Sequence, residues 1–229
     1  MNKKVMYTIL VIIAVLILIE ISSLLILKRN ISEYKKYWDQ KANTAGQLTY
    51  IALGDSATQG IGASKPQNGY VGIVADSLAR STGKTIRVIN LSKTGAVIQD
   101  VLDVQLKAIG STKPDLVTIE IGANDIKSFD QAKFTRQYQE LVKRLPKGTY
   151  VSNMPYFGSR PKSRPSAFKA SEIISRTVKT RPDLKLVDLQ TITKDRDSIL
   201  GYAADYFHPN DRSYKNWADA FLTEINKEY

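Results

Sequence analysis

Hydrophobic and polar positions divide the chain into two parts with different patterns. Residues 5–27 form a nearly continuous apolar run that only four polar residues interrupt. From residue 48 onward, short apolar runs alternate with longer segments whose apolar residues recur every three or four positions. Short runs are typical of buried strands, and the longer spacing is typical of helices. The pattern predicts five strands, at 48–53, 85–91, 115–121, 149–153 and 184–189, and five helices, at 70–81, 97–109, 129–145, 167–180 and 211–227.

Strands and helices alternate through this second part in units of about 30 residues, the length of a βαβ unit. Such alternation predicts an α/β fold with a five-stranded parallel sheet between two helical layers, a three-layer α/β/α sandwich. In such folds ligands bind outside the carboxyl ends of the strands. The loops that follow the strands are therefore where functional residues are expected.

The apolar run is long enough to cross a membrane. As a helix its 23 residues would span about 34 Å, against a hydrocarbon core of about 30 Å. We predict that residues 1–27 are a single transmembrane signal-anchor, that residues 28–46 are a juxtamembrane tether, and that residues 47–229 form a globular domain. The alternative is a cleaved signal peptide, but no small-x-small cleavage site follows the run.

The sequence gives conflicting signals about the orientation of this anchor. Two basic residues precede the run and five follow it before residue 47, which favours a cytoplasmic domain. A short basic tail before a long apolar run is instead typical of an anchor that exports its domain, and we predict an extracytoplasmic domain. Within the tether, Ile31, Tyr34 and Trp38 have helical spacing. They suit either a short interfacial helix with an aromatic belt or a plain linker.

Composition removes several classes of function. The 229 residues include no Cys and one His, which excludes disulfide scaffolds, Cys nucleophiles, thiolate metal sites and sites that need two imidazoles. The formal net charge is +11, which favours anionic surfaces. No helix-turn-helix, zinc-finger or ribonucleoprotein motif accompanies that charge, so no nucleic-acid partner is predicted.

Candidate catalytic residues follow the predicted strands. Ser56 comes after the first strand, Gly95 after the second and Asn124 after the third, while His208 precedes the last helix with Asp205 three residues before it. Taken singly, Ser56 and Gly95 suit ordinary turns, and Asn124 suits a helix cap. Because all of them fall at one edge of one sheet, we expect a relay in which the carboxylate orients the imidazole beside the serine.

These segments resemble the four sequence blocks of the GDSL/SGNH hydrolases: Gly54-Asp55-Ser56, Gly95, Gly122-x-Asn124-Asp125 and Asp205-x-x-His208-Pro209. The resemblance extends from about residue 49 to residue 220. It implies a flavodoxin-like α/β/α sandwich with esterase, lipase or acetyl-esterase activity and with neither a metal nor an organic cofactor. It further implies that Ser56 is the nucleophile, His208 the general base and Asp205 its orienting partner. The oxyanion hole would comprise the backbone N–H groups of Ser56 and Gly95 and the side-chain amide of Asn124.

The substrate is less determined than the chemistry. We expect a membrane-anchored serine esterase with a monomeric catalytic domain that takes a small-molecule, lipid or glycan ester and resembles a lysophospholipase or lipase. The main alternative is an O-acetyl esterase or acyltransferase acting on cell-envelope carbohydrate. A non-catalytic binding module is a third interpretation, and a flavodoxin-like phosphate binder is disfavoured because no phosphate loop is present. A basic loop after the fourth strand either attracts an anionic ester or is merely solvated; its cations are Arg160, Lys162, Arg164 and Lys169.

Overall fold

Five parallel strands form the centre of the computed structural model, which describes residues 3–227. Their order in the sheet is β2-β1-β3-β4-β5. The central strands β1 and β3 are buried almost throughout, as expected for a parallel sheet covered on both faces. The strands are β1 (Leu48–Gly54), β2 (Ile86–Asn90), β3 (Leu116–Glu120), β4 (Tyr150–Ser152) and β5 (Lys185–Val187).

Helices cover both faces of the sheet and produce two separate apolar cores. One core lies between the sheet and the helices around residues 98–109, 131–144 and 164–178, and the other lies against residues 70–82 and 211–225. The predicted three-layer sandwich is therefore confirmed. The helices are α1 (Lys3–Ala42), α2 (Ser56–Gln59), α3 (Tyr70–Thr82), α4 (Ile98–Asp100), α5 (Leu106–Ile109), α6 (Gln131–Arg144), α7 (Arg164–Val178), α8 (Leu189–Asp195) and α9 (Asp211–Ile225).

Two helical segments differ from the sequence prediction. The helix predicted at 97–109 is interrupted by a π-helical turn, Val101–Gln105, that joins α4 to α5. Helix α8 was not predicted at all, because its seven residues are too few to show a helical period. Its start is fixed by Asp188, whose side chain accepts a hydrogen bond from the backbone N–H of Thr191 at 3.1 Å.

Helix α1 continues without a break from the apolar run into the predicted tether. Side chains of residues 5–26 are largely exposed, and length and composition make this helix a candidate membrane span or signal sequence. Within the tether, Tyr34 and Trp38 are buried against the domain. The Tyr34 hydroxyl donates to the carbonyl of Ala63 at 2.6 Å, and Trp38 Nε1 donates to the carbonyl of Gln59 at 2.9 Å.

These contacts correct both interpretations of the tether. The segment is helical rather than a plain linker, and its aromatic face contacts protein instead of forming an exposed belt. The spacing of the aromatic residues identified one helix face, but either a membrane interface or a protein surface satisfies such a face. The anchor at 1–27 and the domain boundary at residue 47 stay predictions, and residues 1, 2, 228 and 229 lie outside the described residues.

Candidate active site

Ser56 lies at the junction of β1 and α2, where the chain turns from the sheet into a short helix. Asp55 precedes it and caps the helix, since its Oδ1 accepts the backbone N–H of Ala57 at 2.9 Å. Gly54 has a φ of +149°, and a Cβ there would lie 2.2 Å from the backbone oxygen of Glu120. Only glycine fits at position 54, so the backbone that presents Ser56 requires the Gly of the Gly-Asp-Ser sequence.

The loop before α9 brings the imidazole of His208 to this serine. His208 Nε2 is 2.9 Å from Ser56 Oγ, and His208 Nδ1 is 2.5 Å from Asp205 Oδ2. The other Asp205 oxygen, Oδ1, accepts the backbone N–H groups of Phe207 and His208, both at 3.0 Å. Burial alone would raise the pKa of Asp205, but the hydrogen bond and charge of His208 and these two N–H groups lower it below its usual value.

The three residues predicted as a relay therefore form one hydrogen-bonded chain from hydroxyl to imidazole to carboxylate. Both oxygens of Asp205 are hydrogen-bonded, Oδ2 to the imidazole and Oδ1 to two backbone N–H groups, so the carboxylate holds the imidazole in one orientation. This geometry suits removal of a proton from Ser56 Oγ by the imidazole.

Gly95 and Asn124 lie on loops that are hydrogen-bonded to the serine turn. The backbone N–H of Lys93 donates to the carbonyl of Gly54 at 3.2 Å, and Gly95 follows in the left-handed region with a φ of +81°. Asn124 Nδ2 donates to the Ala96 carbonyl at 3.0 Å and to Asp55 Oδ2 at 3.2 Å. Asn124 makes no side-chain cap to the helical turn that follows it, so its amide is directed toward these two loops.

Two buried carboxyl groups, Asp55 and Glu120, lie at the serine turn, and Glu120 was not among the residues predicted from the sequence. Burial raises the pKa of Asp55, and burial together with the charge of Asp55 raises the pKa of Glu120 well above its usual range. Both side-chain oxygens of Glu120 are buried without a hydrogen-bond partner in the described structure, whereas Asp55 accepts two donors. We infer that Glu120 carries the proton and that Asp55 is the ionised member of the pair. The signal was present in the sequence, as a lone acidic residue inside an apolar strand.

The basic loop after β4 contacts the loop that carries His208. Arg160 donates from Nη2 to the Asp205 carbonyl at 3.2 Å and from Nε to the Tyr206 carbonyl at 3.3 Å. Its guanidinium also lies 4.5 Å from the centre of the Phe207 ring. Ser159 Oγ donates to the Tyr206 carbonyl at 2.7 Å. Arg160 thus holds the loop that carries His208, a role that neither interpretation of the basic loop anticipated.

Backbone strain accompanies these loop contacts. Tyr206 has a φ of +50° and Phe157 a φ of +58°, the two non-glycine residues with positive φ in the described chain. Bulky residues adopt this conformation only where surrounding contacts impose it. The contacts of Ser159 and Arg160 to the Tyr206 carbonyl are of this kind, so the two loops form one braced unit.

A small cavity lies beside Ser56 and His208. Its volume is about 50 Å³, and aromatic side chains form much of its wall, namely Phe157, Tyr202, Phe207 and Trp217. Such a cavity suits a short apolar group that enters next to the serine hydroxyl.

A family model for GDSL-like lipase/acylhydrolases matches residues 52–215, which is more than half of the chain. The chain belongs to this family. This GDSL hydrolase is accordingly an ester-hydrolysing serine hydrolase, and the resemblance noted in the sequence is confirmed. A search of curated protein sequences found no significant match.

Solved structures share the fold. LAE5, an α/β hydrolase from the metagenome of Lake Arreo, Spain, has a TM-score of 0.65 at 23% identity, over 79% of this chain and 95% of its own. Axe2, an acetylxylan esterase from Geobacillus stearothermophilus, has a TM-score of 0.63 at 23% identity, over 79% and 95%. The lipase Lip_vut3 from a goat rumen metagenome has a TM-score of 0.60 at 21% identity, over 77% and 97%. At this identity the likeness establishes the fold alone.

Proposed function

We propose that this GDSL hydrolase cleaves short-chain acyl esters through Ser56, His208 and Asp205. The observation that carries the proposal is the hydrogen-bonded chain from Ser56 Oγ through His208 to Asp205, located at a small apolar cavity. Ser56 Oγ attacks the ester carbonyl while His208 Nε2 takes its proton, and Asp205 stabilises the imidazolium that results. His208 then protonates the departing alcohol. Water, activated by the same imidazole, releases the acid from the acyl-enzyme.

In this mechanism, hydrogen-bond donors must stabilise the negative charge that develops on the ester carbonyl oxygen. The backbone N–H groups of Ser56 and Gly95 and the amide of Asn124 are the proposed set. In the resting structure both hydrogens of the Asn124 amide have acceptors, Ala96 and Asp55. The bond to Asp55 is the longer of the two, at 3.2 Å, so we propose that this hydrogen turns to the oxyanion during the reaction.

The acyl group is proposed to be short, as in an O-acetyl ester. A cavity of about 50 Å³ with an aromatic wall, next to Ser56, suits an acetyl or similarly short acyl chain better than a fatty acyl chain. This favours the acetyl-esterase alternative over the lipase-like interpretation. The long apolar half of α1 gives the lipase-like interpretation its remaining support, because a membrane-anchored enzyme meets lipid esters. We further propose that α1 is a retained single-pass anchor and that the domain is extracytoplasmic.

Labelling with a fluorophosphonate probe tests the nucleophile. Wild-type protein should be labelled, and Ser56→Ala should be neither labelled nor active while its thermal unfolding is unchanged. Ser111→Ala, which removes an exposed hydroxyl on another loop, is the matched control and should behave as wild type. Persistent labelling of Ser56→Ala would refute Ser56 as the nucleophile.

A series of p-nitrophenyl esters tests the acyl chain. The value of kcat/KM should be highest for acetyl to butyryl esters and should fall steeply with longer chains. A maximum at long chains would instead establish the lipase-like alternative. Adding an alcohol acceptor to the same assay and measuring the transferred ester separates hydrolysis from acyl transfer.

A further inference from the structure

The direction in which α1 leaves the domain relates the active site to the membrane. At its carboxyl end, the Ala42 carbonyl accepts a hydrogen bond from Arg87 Nε, near the start of β2. Eleven residues earlier along α1, the Ile31 carbonyl accepts a hydrogen bond from Gln59 Nε2, beyond the carboxyl end of β1. The helix thus runs antiparallel to the strands and leaves the domain at the sheet edge where Ser56 and His208 lie.

Little helix separates the apolar run from this edge. Leu27, the last residue of the run, precedes Ile31 by four residues, or about 6 Å of helix. The headgroup layer on each side of a bilayer is also about 5–7 Å thick. If the hydrocarbon boundary lies at Leu27, Ile31 and its partner Gln59 lie within the headgroup layer.

Gln59 connects α1 to the loop that carries Gly95, which is part of the proposed oxyanion hole. Its Oε1 accepts the hydroxyl of Thr94 at 2.6 Å, and Thr94 immediately precedes Gly95. Gln59 is buried, and its backbone carbonyl accepts the indole N–H of Trp38. Both ends of the Gln59 amide and its carbonyl are therefore engaged, so α1 and the Gly95 loop are held in a fixed relation.

Exposed apolar side chains lie on the segment that carries His208. Ile199, Leu200 and Tyr206 belong to the segment that carries His208, and they are 61%, 71% and 53% exposed. Contiguous exposed apolar side chains are typical of surfaces that contact a membrane or a partner. Because the apolar run of α1 leaves the domain at the edge where Ser56 lies, and these side chains belong to the loop that brings His208 to Ser56, the surface that fits both is a lipid bilayer.

We propose that the carboxyl edge of the sheet faces the membrane, with the Ile199–Tyr206 segment in contact with the headgroup layer and the site opening toward it. This inference depends on the proposed membrane anchoring by α1. An ester carried by a membrane-bound molecule then reaches Ser56 at the level of the headgroups. The exposed side chains of Ile199, Leu200 and Tyr206 contact the bilayer itself in this proposal, not a second protein.

Because the chain has no Cys, single labelling sites can be introduced into the full-length protein. A fluorophore is attached to Leu200→Cys, to Leu16→Cys within the apolar run, or to Lys147→Cys on the exposed loop before β4 at the opposite edge. Each protein is reconstituted into vesicles of phosphatidylcholine and phosphatidylglycerol in equal parts that carry nitroxide-labelled lipid. We expect strong quenching at 16, and quenching at 200 that exceeds that at 147 several-fold.

The outcomes test the orientation of the domain and the membrane anchoring by α1 separately. Quenching at 16 with equal quenching at 200 and 147 would overturn the proposed orientation while leaving the anchor intact. No quenching at any position would overturn the anchor and the orientation together. Fluorophosphonate labelling of the same preparations reports on Ser56 independently, so failure of the catalytic proposal is distinguishable from either result.

Discussion

The two loops that face Ser56 differ in how closely their resting hydrogen bonds match those that the proposed reaction needs. Residues 197–210, the histidine loop, present His208 already hydrogen-bonded to Ser56 and to Asp205. Residues 91–97, the glycine loop, are held by Asn124 through the Ala96 carbonyl, whereas the second Asn124 amide hydrogen, which we propose turns to the oxyanion, is bonded to Asp55 in the resting structure. In the proposed mechanism, proton transfer is therefore set up in the resting enzyme, whereas oxyanion stabilisation requires one hydrogen bond to change partner. The acid–base half of the proposed site is preassembled, and the oxyanion half is adjustable.

The largest expected effect comes from removing the imidazole on the prepared side. His208→Ala should lower kcat on the order of 10⁴- to 10⁶-fold, because the described geometry offers Ser56 Oγ no other base. Stopped assays with p-nitrophenyl acetate measure this loss, and circular dichroism checks the fold. A loss of only a few-fold would show that the resting hydrogen bond is not the catalytic one.

On the adjustable side, Asn124→Ala should lower kcat about 10²- to 10³-fold and leave KM nearly unchanged, since the amide acts mainly in the transition state. Steady-state kinetics with one short ester give both constants. Asn68→Ala, which removes an amide bonded to Ser64 and Asp211, is the control and should retain activity. A rise in KM without a change in kcat would contradict the proposed partner exchange.

The hydrogen bonds of Arg160 that hold the histidine loop can be removed without changing His208 or Asp205. Arg160→Ala loses two hydrogen bonds to the carbonyls of Asp205 and Tyr206, and kcat should fall roughly tenfold, the equivalent of about 1.4 kcal/mol. Lys162→Ala, an exposed cation two residues later, is the matched control. If the basic loop instead attracts an anionic ester, both variants should raise KM for an anionic substrate and neither should affect a neutral one.

The sequence was sufficient to predict some of the residues around Ser56 but not others. The serine turn, Asn124 and the Asp205–His208 pair were identifiable because local backbone geometry and chemistry restrict their residue types. The brace by Arg160 was not identifiable, because it joins loops 45 residues apart through backbone carbonyls that any sequence provides. The docking of Trp38 was missed for a related reason: the spacing of aromatic residues defines a helix face but not the surface that covers it.

The smallest expected effect on activity, and a clear effect on stability, concerns Glu120 beneath the serine turn. Burial raises its folded-state pKa well above the ordinary value of 4.5, so the folded protein keeps a proton that the unfolded chain releases above that pH. The contribution of Glu120 to the free energy of unfolding should therefore be fully present below about pH 4.5 and fall as pH rises toward the folded-state pKa, by up to about 1.4 kcal/mol per unit.

Glu120→Gln removes this titration and keeps an uncharged side chain of similar shape. Urea unfolding of the full chain in detergent should give matching stabilities near pH 4 and a variant that becomes progressively more stable than wild type at higher pH. Glu140→Gln, at an exposed position on α6, should follow wild type throughout. Parallel curves for Glu120→Gln and wild type would mean that Glu120 is ionised in the folded state. Asp55 would then carry the proton, and the strength of the hydrogen bond from Asn124 to Asp55 would depend on pH.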